Sequence, residues 1–468
     1  MSAESQARFL EAFPAYAETA SLDELRSREY ARLDDQGHVY LDYTGGGLYS
    51  TAQLAKHRDL LETHVFGNPH SHNPTSSAMT DVVERARNKV LDFFNASPEE
   101  YAAIFTANAS NALKLVGESY PFGPGERYLL TFDNHNSVNG IREFARAKHA
   151  SIAYVPLSLP DMRIDEAVLD EFLDKAEPGR NNLFAFPAQS NFSGVQHPLE
   201  WIERAHDKGW DVLLDAAAFV PTNRLDVGRL KPDFVPISFY KMFGYPTGVG
   251  CLIARRKALA KLHRPWFSGG TITVASVQGD KHYFAEGATA FEDGTLDYLN
   301  IPAVEIGLEH LESVGLDKVH ERCRMLTAWL IRQMAALRHA NGRPLVRIYG
   351  PATAEHRGGA VTMNFYDARD RIIDHLEIER AAAEQNISLR TGCFCNPGGG
   401  EIALQLSKTE LIGCFRDSDM AGKSAFTPED FRLCIDGKST GAVRVSVGLV
   451  SNFNDVDRFV DFARGFLA

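Results

Sequence analysis

One lysine stands where a positive charge would be costly. Lys241 lies in "ISFYKMFGYPTGVG", between an apolar run and a glycine-rich turn. Burial disfavours an ammonium group, so such a lysine is paired, neutral or covalently bonded. A desolvated lysine at the end of a buried strand is a nucleophile that can attack a carbonyl. A surface lysine near a turn is the alternative interpretation.

A carboxylate at the end of the preceding apolar run suits the same chemistry. Asp215 follows the strand-like residues of "VLLDAAAF". The ring nitrogen of pyridoxal 5'-phosphate stays protonated only when a carboxylate faces it, and the protonated ring withdraws electrons. Ligands of open α/β sheets bind at the carboxyl ends of the parallel strands. Asp215 and Lys241 together therefore predict a pyridoxal phosphate site, whereas a turn cap would explain Asp215 alone.

Two further segments supply a phosphate cradle and a ring partner. In "TANASNALKLV", Ala109 and Ser110 precede a helix-compatible run, and a helix N-terminus attracts anions. An ordinary helix cap would explain Ser110 equally well. His135 in "FDNHNSV" follows another apolar run and can stack on a planar ring. A surface-loop histidine is the other interpretation.

A cysteine pair and two arginines complete the chemically suggestive residues. Cys393 and Cys395 lie in "SLRTGCFCNPGGG", where one C-x-C is a poor zinc site and a disulfide across one residue would be strained. A loop cysteine near Arg390 is a candidate nucleophile, and buried inert thiols are the alternative. Arg444 lies inside the strand-like "VRVSVG", where a fixed guanidinium fork suits a substrate carboxylate.

The elements around these residues predict an α/β protein. Apolar runs bounded by turn residues alternate with amphipathic stretches such as 165–175 and 199–208, and the runs are "RYLLTF", "ASIAYVPL", "NLFAFPA", "WDVLLDAAAFV" and "DFVPISF". This alternation predicts βαβ units and a mostly parallel sheet. A helical region over 303–339 and the strand-like "GAVTMNFY" and "GAVRVSVG" predict a second, smaller α+β domain. We expect the first forty residues to be mainly helical and to pack against that domain.

Composition excludes several classes of partner. The net charge of −12 argues against nucleic acid or an anionic membrane surface as the main partner. The acidic N-terminal residues do not resemble a secretory signal, and no apolar run reaches the roughly 18 residues that span a bilayer. Six cysteines in 468 residues are too few and too scattered for a disulfide scaffold. We therefore expect a reduced, cytoplasmic protein.

Several segments together resemble a known family. The chain resembles the class V aminotransferase group of pyridoxal phosphate enzymes, of the NifS-like cysteine desulfurase type, with particular likeness to the N-terminal desulfurase domain of molybdenum cofactor sulfurases. The matching segments are "YLDYTGGGLY", "GNPHS", "DNHNSV", "FPAQSNFSGV", "LLDAAAFVPTN", "SFYKMFGYPTGVG", "FEDGTLDYLNI", "RTGCFCNPG", "IDGKSTGAVRVSVG" and "SNFNDVD".

The resemblance implies a fold and a domain order. We expect the fold type I of pyridoxal phosphate-dependent transferases, like aspartate aminotransferase, with a mostly parallel seven-stranded sheet and a smaller α+β C-terminal domain. The implied divisions are an N-terminal segment at 1–45, a large cofactor-binding domain at 46–302 and a small domain at 303–468. Members of this group work as homodimers.

The resemblance also implies roles for individual residues. Lys241 would bond covalently to the cofactor and move the substrate's α-proton, Asp215 would face the ring nitrogen, and His135 would stack on the ring. The other implied cofactor ligands are Asn191 at the phenolic oxygen with Gln189 nearby, Ala109, Ser110, Ser238 and Tyr240 at the phosphate, and Thr271 at the phosphate of the other subunit. Arg444 would bind the substrate carboxylate, with Arg390 and Gly46 as further substrate contacts.

The implied reaction is a cysteine desulfurase reaction. Cys395 occupies the position of the family's nucleophile and would take the sulfur of L-cysteine as a persulfide, leaving L-alanine. A protein or cofactor would then accept the sulfur. The molybdenum cofactor sulfurases carry a further C-terminal domain and usually have another cysteine after "NPG", where this chain has Gly399, Gly400 and Glu401. Ala218 replaces a glutamine of many bacterial desulfurases, although the sulfurases share the alanine.

Two other hypotheses belong to different functional classes. The first is a related pyridoxal phosphate enzyme acting on another amino acid, as a C–S lyase, an epimerase or an aminotransferase. The second is a non-catalytic scaffold on the same fold, against which the intact Lys241 and Asp215 pair argues.

Overall fold

The computed structural model describes residues 3–69, 71–420 and 441–468 of the chain. His70 of "GNPHS", Cys434 and residues 435–440 of "IDGKSTGAVRVSVG" lie outside this described part. The described strands are β1 (Val39–Tyr40), β2 (Tyr101–Thr106), β3 (Arg127–Thr131), β4 (Ser151–Val155), β5 (Leu157–Ser158), β6 (Arg163–Ile164), β7 (Asn182–Pro187), β8 (Trp210–Asp215), β9 (Phe234–Ser238), β10 (Gly250–Arg255), β11 (Ile272–Ser276), β12 (Lys281–Phe284), β13 (Val346–Tyr349), β14 (Ala360–Phe365), β15 (Ile387–Ser388), β16 (Arg390–Gly392) and β17 (Ala442–Ser446).

Helices cover both ends of the chain and separate most of the strands. The described α-helices are α1 (Ala3–Ala12), α2 (Ser21–Glu29), α3 (Arg32–Asp35), α4 (Thr51–Thr63), α5 (Pro74–Phe93), α6 (Ala109–Ser119), α7 (Asn136–Asn139), α8 (Ile141–Ala147), α9 (Glu166–Leu173), α10 (Trp201–Asp207), α11 (Val227–Leu230), α12 (Phe239–Phe243), α13 (Arg256–Leu259), α14 (Pro302–Val314), α15 (Leu316–Ala336), α16 (His375–Glu384), α17 (Pro397–Ala403), α18 (Lys408–Met420) and α19 (Phe453–Arg464). Short 3-10 helices lie at Pro14–Thr19 and Gly287–Phe291.

A seven-stranded sheet forms the centre of the larger part of the molecule. Its strand order is β2-β10-β9-β8-β7-β3-β4, and the expected mostly parallel seven-stranded sheet is confirmed. Strand β10 is the exception, because it pairs antiparallel with both β9 and β2. The short connection from α12 to β10 explains this, since a parallel return needs a crossover of a dozen or more residues.

The direction of these strands brings the chemically suggestive residues together. Strands β3, β7, β8 and β9 run parallel and end at the same edge of the sheet. His135 follows β3, Asn191 follows β7, Asp215 ends β8 and Lys241 follows β9. Their interior residues are buried and, apart from Asp211 in β8, mostly apolar, which fits strands covered on both faces. This shared edge is where an open α/β sheet binds its ligands.

A second, four-stranded sheet lies in the C-terminal part of the chain. Its order is β13-β14-β17-β16, with every pairing antiparallel. The helices α14 and α15 agree with the helical pattern predicted for 303–339. The smaller α+β unit is thus present, whereas the exact domain boundaries stay a prediction.

The N-terminal helices pack on this C-terminal part. The guanidinium of the buried Arg26 in α2 binds the carboxylate of Asp455 in α19 at 2.5 Å. The ring of Phe9 packs edge-on against Trp329 at 5.6 Å and contacts Phe453 at 4.9 Å. A buried ion pair needs such dense hydrogen bonding to offset the desolvation of both charges.

The cysteines depart in one respect from expectation. Cys251, Cys323, Cys393 and Cys395 are free thiols, but Cys414 is disulfide-bonded, so the expectation of a fully reduced protein is wrong. A cysteine count too low for a disulfide scaffold still allows a single disulfide. The cytoplasmic location stays a prediction. Among the described residues, no helix combines the length and the apolar character needed to cross a bilayer.

Candidate active site

A cavity of about 410 Å³ opens at the shared edge of the central sheet. It is lined by residues from the ends of several strands and by the start of helix α6. The predicted site residues that line it are Lys241, Asp215, His135, Asn191, Gln189, Ala109, Ser110, Ser238 and Tyr240. The predicted residues Cys395, Arg444, Arg390, Gly46 and Thr271 do not line this cavity in the described part of the chain.

Lys241 lies on the short helix α12, three residues after the end of β9. The helix ends after Phe243 at Gly244, whose left-handed φ of 79° suits glycine. Within residues 3–69, 71–420 and 441–468, the ammonium group of Lys241 has no hydrogen-bond or salt-bridge partner. An amine without a counter-ion is suited to a carbonyl partner that removes its charge.

Asp215 is the last residue of β8 and keeps its carboxylate largely away from bulk water. It is 8% exposed, and its Oδ1 accepts a hydrogen bond from the Ala217 amide at 3.0 Å. The residues before it, Val212, Leu213 and Leu214, are apolar and buried, and the carboxylate lines the cavity, where it is available to a cationic group. The small side chains of Ala217 and Ala218 line the cavity beside it and leave room for a planar ring.

His135 is held in one tautomer by its own turn. Its Nδ1 accepts a hydrogen bond from the Ser137 amide at 3.1 Å, so the proton of the neutral ring lies on Nε2. Burial lowers the pKa of His135 below its ordinary value of 6.5. Asp215 opposes that shift, whereas the charges of Lys241 and Arg444 add to it. The imidazole is therefore neutral at pH 7 and presents a flat ring.

The start of helix α6 forms an anion site at another side of the cavity. Asn108 caps the helix through its Oδ1, which accepts the Asn111 amide at 2.9 Å. The hydroxyl groups of Ser110 and Ser137 lie 2.7 Å apart. Gly250 permits the helix to approach the sheet, because a Cβ there would lie 2.5 Å from the carbonyl carbon of Asn108. Backbone amides and a hydroxyl at a helix N-terminus suit a phosphate.

These features fit pyridoxal 5'-phosphate. The cavity joins an unpartnered amine at Lys241, a carboxylate at Asp215, a neutral imidazole at His135 and a phosphate cradle at the start of α6. Each is the donor or acceptor that one end of that cofactor requires.

The amides beside the cavity are already engaged. The Nδ2 of Asn191 donates to the Phe394 carbonyl at 2.7 Å, and its Oδ1 accepts from Asn396 at 2.9 Å. The Oε1 of Gln189 accepts a hydrogen bond from Gln196 at 3.1 Å. In this arrangement, the Asn191 side chain binds the cysteine loop, although the residue also lines the cavity in which the family resemblance gives it a cofactor contact. A contact with the cofactor's phenolic oxygen stays a prediction.

The cysteine loop has a strained backbone beside the cavity. Phe394 and Cys395 both adopt left-handed φ values, 56° and 55°. Non-glycine residues pay about 1–2 kcal/mol each for this conformation, so other contacts must hold it. The Cys395 carbonyl accepts the Asn136 amide at 2.7 Å, next to His135. The Cys393 and Cys395 side chains are exposed, whereas Phe394 is buried.

Two arginines share one aspartate next to this loop. The carboxylate of Asp42 accepts three hydrogen bonds from Arg390, of which the shortest is 2.6 Å, and one from Arg444 at 3.3 Å. Arg444 is 2% exposed, and its guanidinium lies 4.7 Å above the Phe394 ring. Burial lowers the pKa of Arg444 to about 10, and Asp42 opposes this. One carboxylate thus faces two cations, which leaves a net positive charge.

The remaining predicted residues lie in supporting positions. Gly46 lies beside Tyr240, where an added Cβ would be 3.5 Å from the ring, and the Gly46 carbonyl accepts the Tyr40 hydroxyl at 2.9 Å. Thr271 is fully buried in its own chain, where its hydroxyl donates to the Ser268 carbonyl at 2.8 Å. A contact between Thr271 and a partner's phosphate would require this loop to rearrange.

Sequence reasoning missed three residues that organise the site. Asp42 pairs with both arginines, Asn396 binds Asn191, and the buried His197 binds the Asp133 carboxylate at 3.0 Å. Asp42 lies in "YLDYTGGGLY" and Asn396 in "RTGCFCNPG", two of the family-like segments, and this position was the one indication of a role in the site. No local pattern marks His197, because its partner is 64 positions away.

Comparison with known proteins agrees with this geometry. The family model Aminotransferase class-V matches residues 39–459. The molybdenum cofactor sulfurase of Arabidopsis thaliana is 38% identical over 479 residues, which cover 94% of this chain and 58% of that protein. The human molybdenum cofactor sulfurase is 37% identical over 466 residues, covering 94% of this chain and 51% of that protein. The chain thus spans little more than half the length of these relatives.

Solved structures share the fold. A cysteine desulfurase from Thermococcus onnurineus superposes with a TM-score of 0.77 at 21% identity, covering 95% of this chain and 98% of that chain. The cysteine desulfurase CsdA of Escherichia coli gives 0.73 at 20% identity, covering 96% and 99%.

The lowered pKa of His135 predicts a pH effect on stability. Below pH 6.5 the unfolded chain binds a proton at this position more readily than the folded chain, so the free energy of unfolding falls as the pH decreases. We expect His135→Gln to lose less unfolding free energy than wild type between pH 7.5 and 5.5, as measured by urea denaturation. An equal loss of unfolding free energy in wild type and His135→Gln would contradict a lowered pKa at His135.

Proposed function

The chain belongs to the class V aminotransferase family, and from that premise we propose that it is a pyridoxal phosphate-dependent cysteine desulfurase. It would convert L-cysteine to L-alanine and hold the sulfur as a persulfide on Cys395. The observation that carries the proposal is the meeting of Lys241, Asp215 and His135 in one cavity, next to an exposed cysteine loop.

The cavity residues divide the work of holding the cofactor. When bound, pyridoxal phosphate supplies an aldehyde that bonds to amines and a protonated ring that accepts electrons from the substrate. Lys241 would hold the aldehyde, and Asp215 would keep the proton on the ring nitrogen. The flat ring of His135 orients the group, and the start of helix α6 with Ser110 receives its phosphate. Ser238 and Tyr240 line the same cavity and would complete the phosphate contacts.

The charge balance near the loop suits an amino acid. Asp42 neutralises one of the two guanidinium groups of Arg390 and Arg444, so one positive charge is left for a substrate carboxylate. The Nε of Arg444 is buried and has no hydrogen-bond partner among the described residues. A carboxylate would supply that partner and compensate the charge. We propose that the substrate's α-carboxylate binds beside Arg444.

The sulfur transfer then falls to Cys395. Its thiolate attacks the sulfur atom of the substrate, a new S–S bond forms and the Cβ–S bond breaks. The electron pair of the broken bond stays with the substrate carbon, which takes a proton and leaves as alanine. Lys241 would also move the substrate's α-proton, since its amine lines the same cavity. The persulfide sulfur would pass to an acceptor protein or cofactor.

We also propose that the protein is a homodimer. The hairpin of β11 and β12 and the segment before it expose large apolar side chains, namely Trp266 at 51%, Phe267 at 43%, Val274 at 58%, Val277 at 100% and Tyr283 at 63%. A cluster of this kind favours burial against another protein surface. A second copy of the chain is the partner that the family premise favours.

Replacing Cys395 tests the proposed activity. We expect Cys395→Ala to lose alanine formation from L-cysteine by about 100-fold or more, because the sulfur then lacks its nucleophile. The absorbance of bound cofactor should persist, since Cys395 does not line the cavity. Cys393→Ala, which removes the exposed neighbouring thiol, is the matched control and should keep the activity. Alanine production by Cys395→Ala at the wild-type rate would refute the persulfide route and favour another reaction of the family.

Sedimentation tests the dimer. We expect wild type to sediment at twice the chain mass and Tyr283→Glu to shift toward the monomer, because the charge would be buried in the interface. Leu159→Glu alters an apolar residue that is 60% exposed outside the hairpin and should leave the dimer intact. A monomeric wild type, or an unchanged Tyr283→Glu dimer, would count against the proposal.

A further inference from the structure

We propose that Asn396 is a positioning residue that fixes the direction of the Cys395 thiol beside the cavity. It does so by bridging the cysteine loop to Asn191 and to the turn that carries His135. The inference rests on the proposed persulfide chemistry of Cys395 and assigns a role to a residue outside the cavity.

The side chain of Asn396 is completely buried and fully engaged. Its Nδ2 donates to the Asp133 carbonyl at 2.7 Å and to the Asn191 Oδ1 at 2.9 Å. Its Oδ1 accepts the Gly399 amide at 2.9 Å and caps helix α17. One amide thus connects three segments that are distant in the sequence: the turn after β3, the loop after β7 and the cysteine loop.

Asn191 returns a hydrogen bond to the same loop. Its Nδ2 donates to the Phe394 carbonyl at 2.7 Å, so the two amides enclose Cys395 from both sides. The hydrogen bond from Asn191 to the Phe394 carbonyl and the one from Asn396 to the Asn191 Oδ1 are together called the Asn191–Asn396 bridge. Cys395 lies between the bridge's attachment points with a left-handed φ of 55°, a conformation that a non-glycine residue keeps only when its neighbours hold it.

Helix capping alone does not account for this arrangement. A cap at α17 needs only the acceptor that binds the Gly399 amide, and serine or aspartate provides one as well. The two donated hydrogen bonds are additional, and both end on segments that carry cavity residues. Sulfur transfer requires the attacking atom to be held within a narrow range of positions.

Two variants separate positioning from capping. Asn396→Asp and Asn396→Ser keep an acceptor for the Gly399 amide but lose the Nδ2 group that donates to both Asp133 and Asn191; an ionised aspartate donates neither bond, and the single serine hydroxyl can replace at most one. We expect kcat for alanine formation from L-cysteine to fall by about tenfold or more, with KM changed by less than about twofold and the cofactor absorbance retained. Alkylation of Cys395 by iodoacetamide, followed by peptide mass spectrometry, should become several-fold faster because the loop is released.

A matched control lies far from the cavity. Asn341 donates its Nδ2 to the Ala368 carbonyl at 2.7 Å, and its Oδ1 accepts the Arg343 amide at 3.1 Å. Asn341→Asp therefore removes the same kind of hydrogen bond and should change neither kcat nor the alkylation rate.

The outcomes decide between the possibilities. Wild-type kcat and alkylation rate in both Asn396 variants would overturn the inference. Loss of bound cofactor or of folded protein in both variants would assign Asn396 a structural role and also overturn it. Alkylation needs no turnover, so a wild type that is inactive on cysteine would refute the proposed function, and faster alkylation of the variants would still support the positioning role.

Discussion

The amine of Lys241 is the group on which the rest of this structure depends. It is half-buried in a cavity at the edge of a parallel sheet, and no carboxylate within the described chain pairs with it. The proposed bond to the cofactor's aldehyde would give this amine its partner. The surrounding groups follow the same requirement: Asp215 suits a ring cation, the helix start suits a phosphate, and the neutral His135 suits a flat ring.

The C-terminal part of the chain supplies Arg444 and the cysteine loop, neither of which belongs to the seven-stranded sheet. Strand β17 brings Arg444, and the neighbouring strand β16 leads into the cysteine loop. Their opposed arginines would repel each other without Asp42, which comes from the N-terminal part of the chain. The loop itself is tied to the large sheet through Asn191 and Asn136. The arginines of the proposed carboxylate site and the proposed nucleophile Cys395 are therefore held by segments from three regions of the sequence.

Sequence reasoning succeeded where a residue's neighbours in the chain reveal its setting. Asp215 and Lys241 each follow an apolar run, and the parallel sheet then brings them to one edge without further information. The pairing of Asp42 with Arg444 was not predictable, because those residues are 402 positions apart and no period relates them. The engagement of Asn191 by the cysteine loop was missed for the same reason. Strand β10 is antiparallel because the connection from α12 is short. The apolar pattern predicts the strand but not its direction.

Reduction with borohydride tests the central claim most directly. The protein is incubated with pyridoxal 5'-phosphate, reduced, digested and analysed by peptide mass spectrometry. We expect about one pyridoxyl adduct per chain, on Lys241, and no adduct at this position in Lys241→Ala. An unmodified Lys241, with adducts spread over surface lysines, would contradict the account.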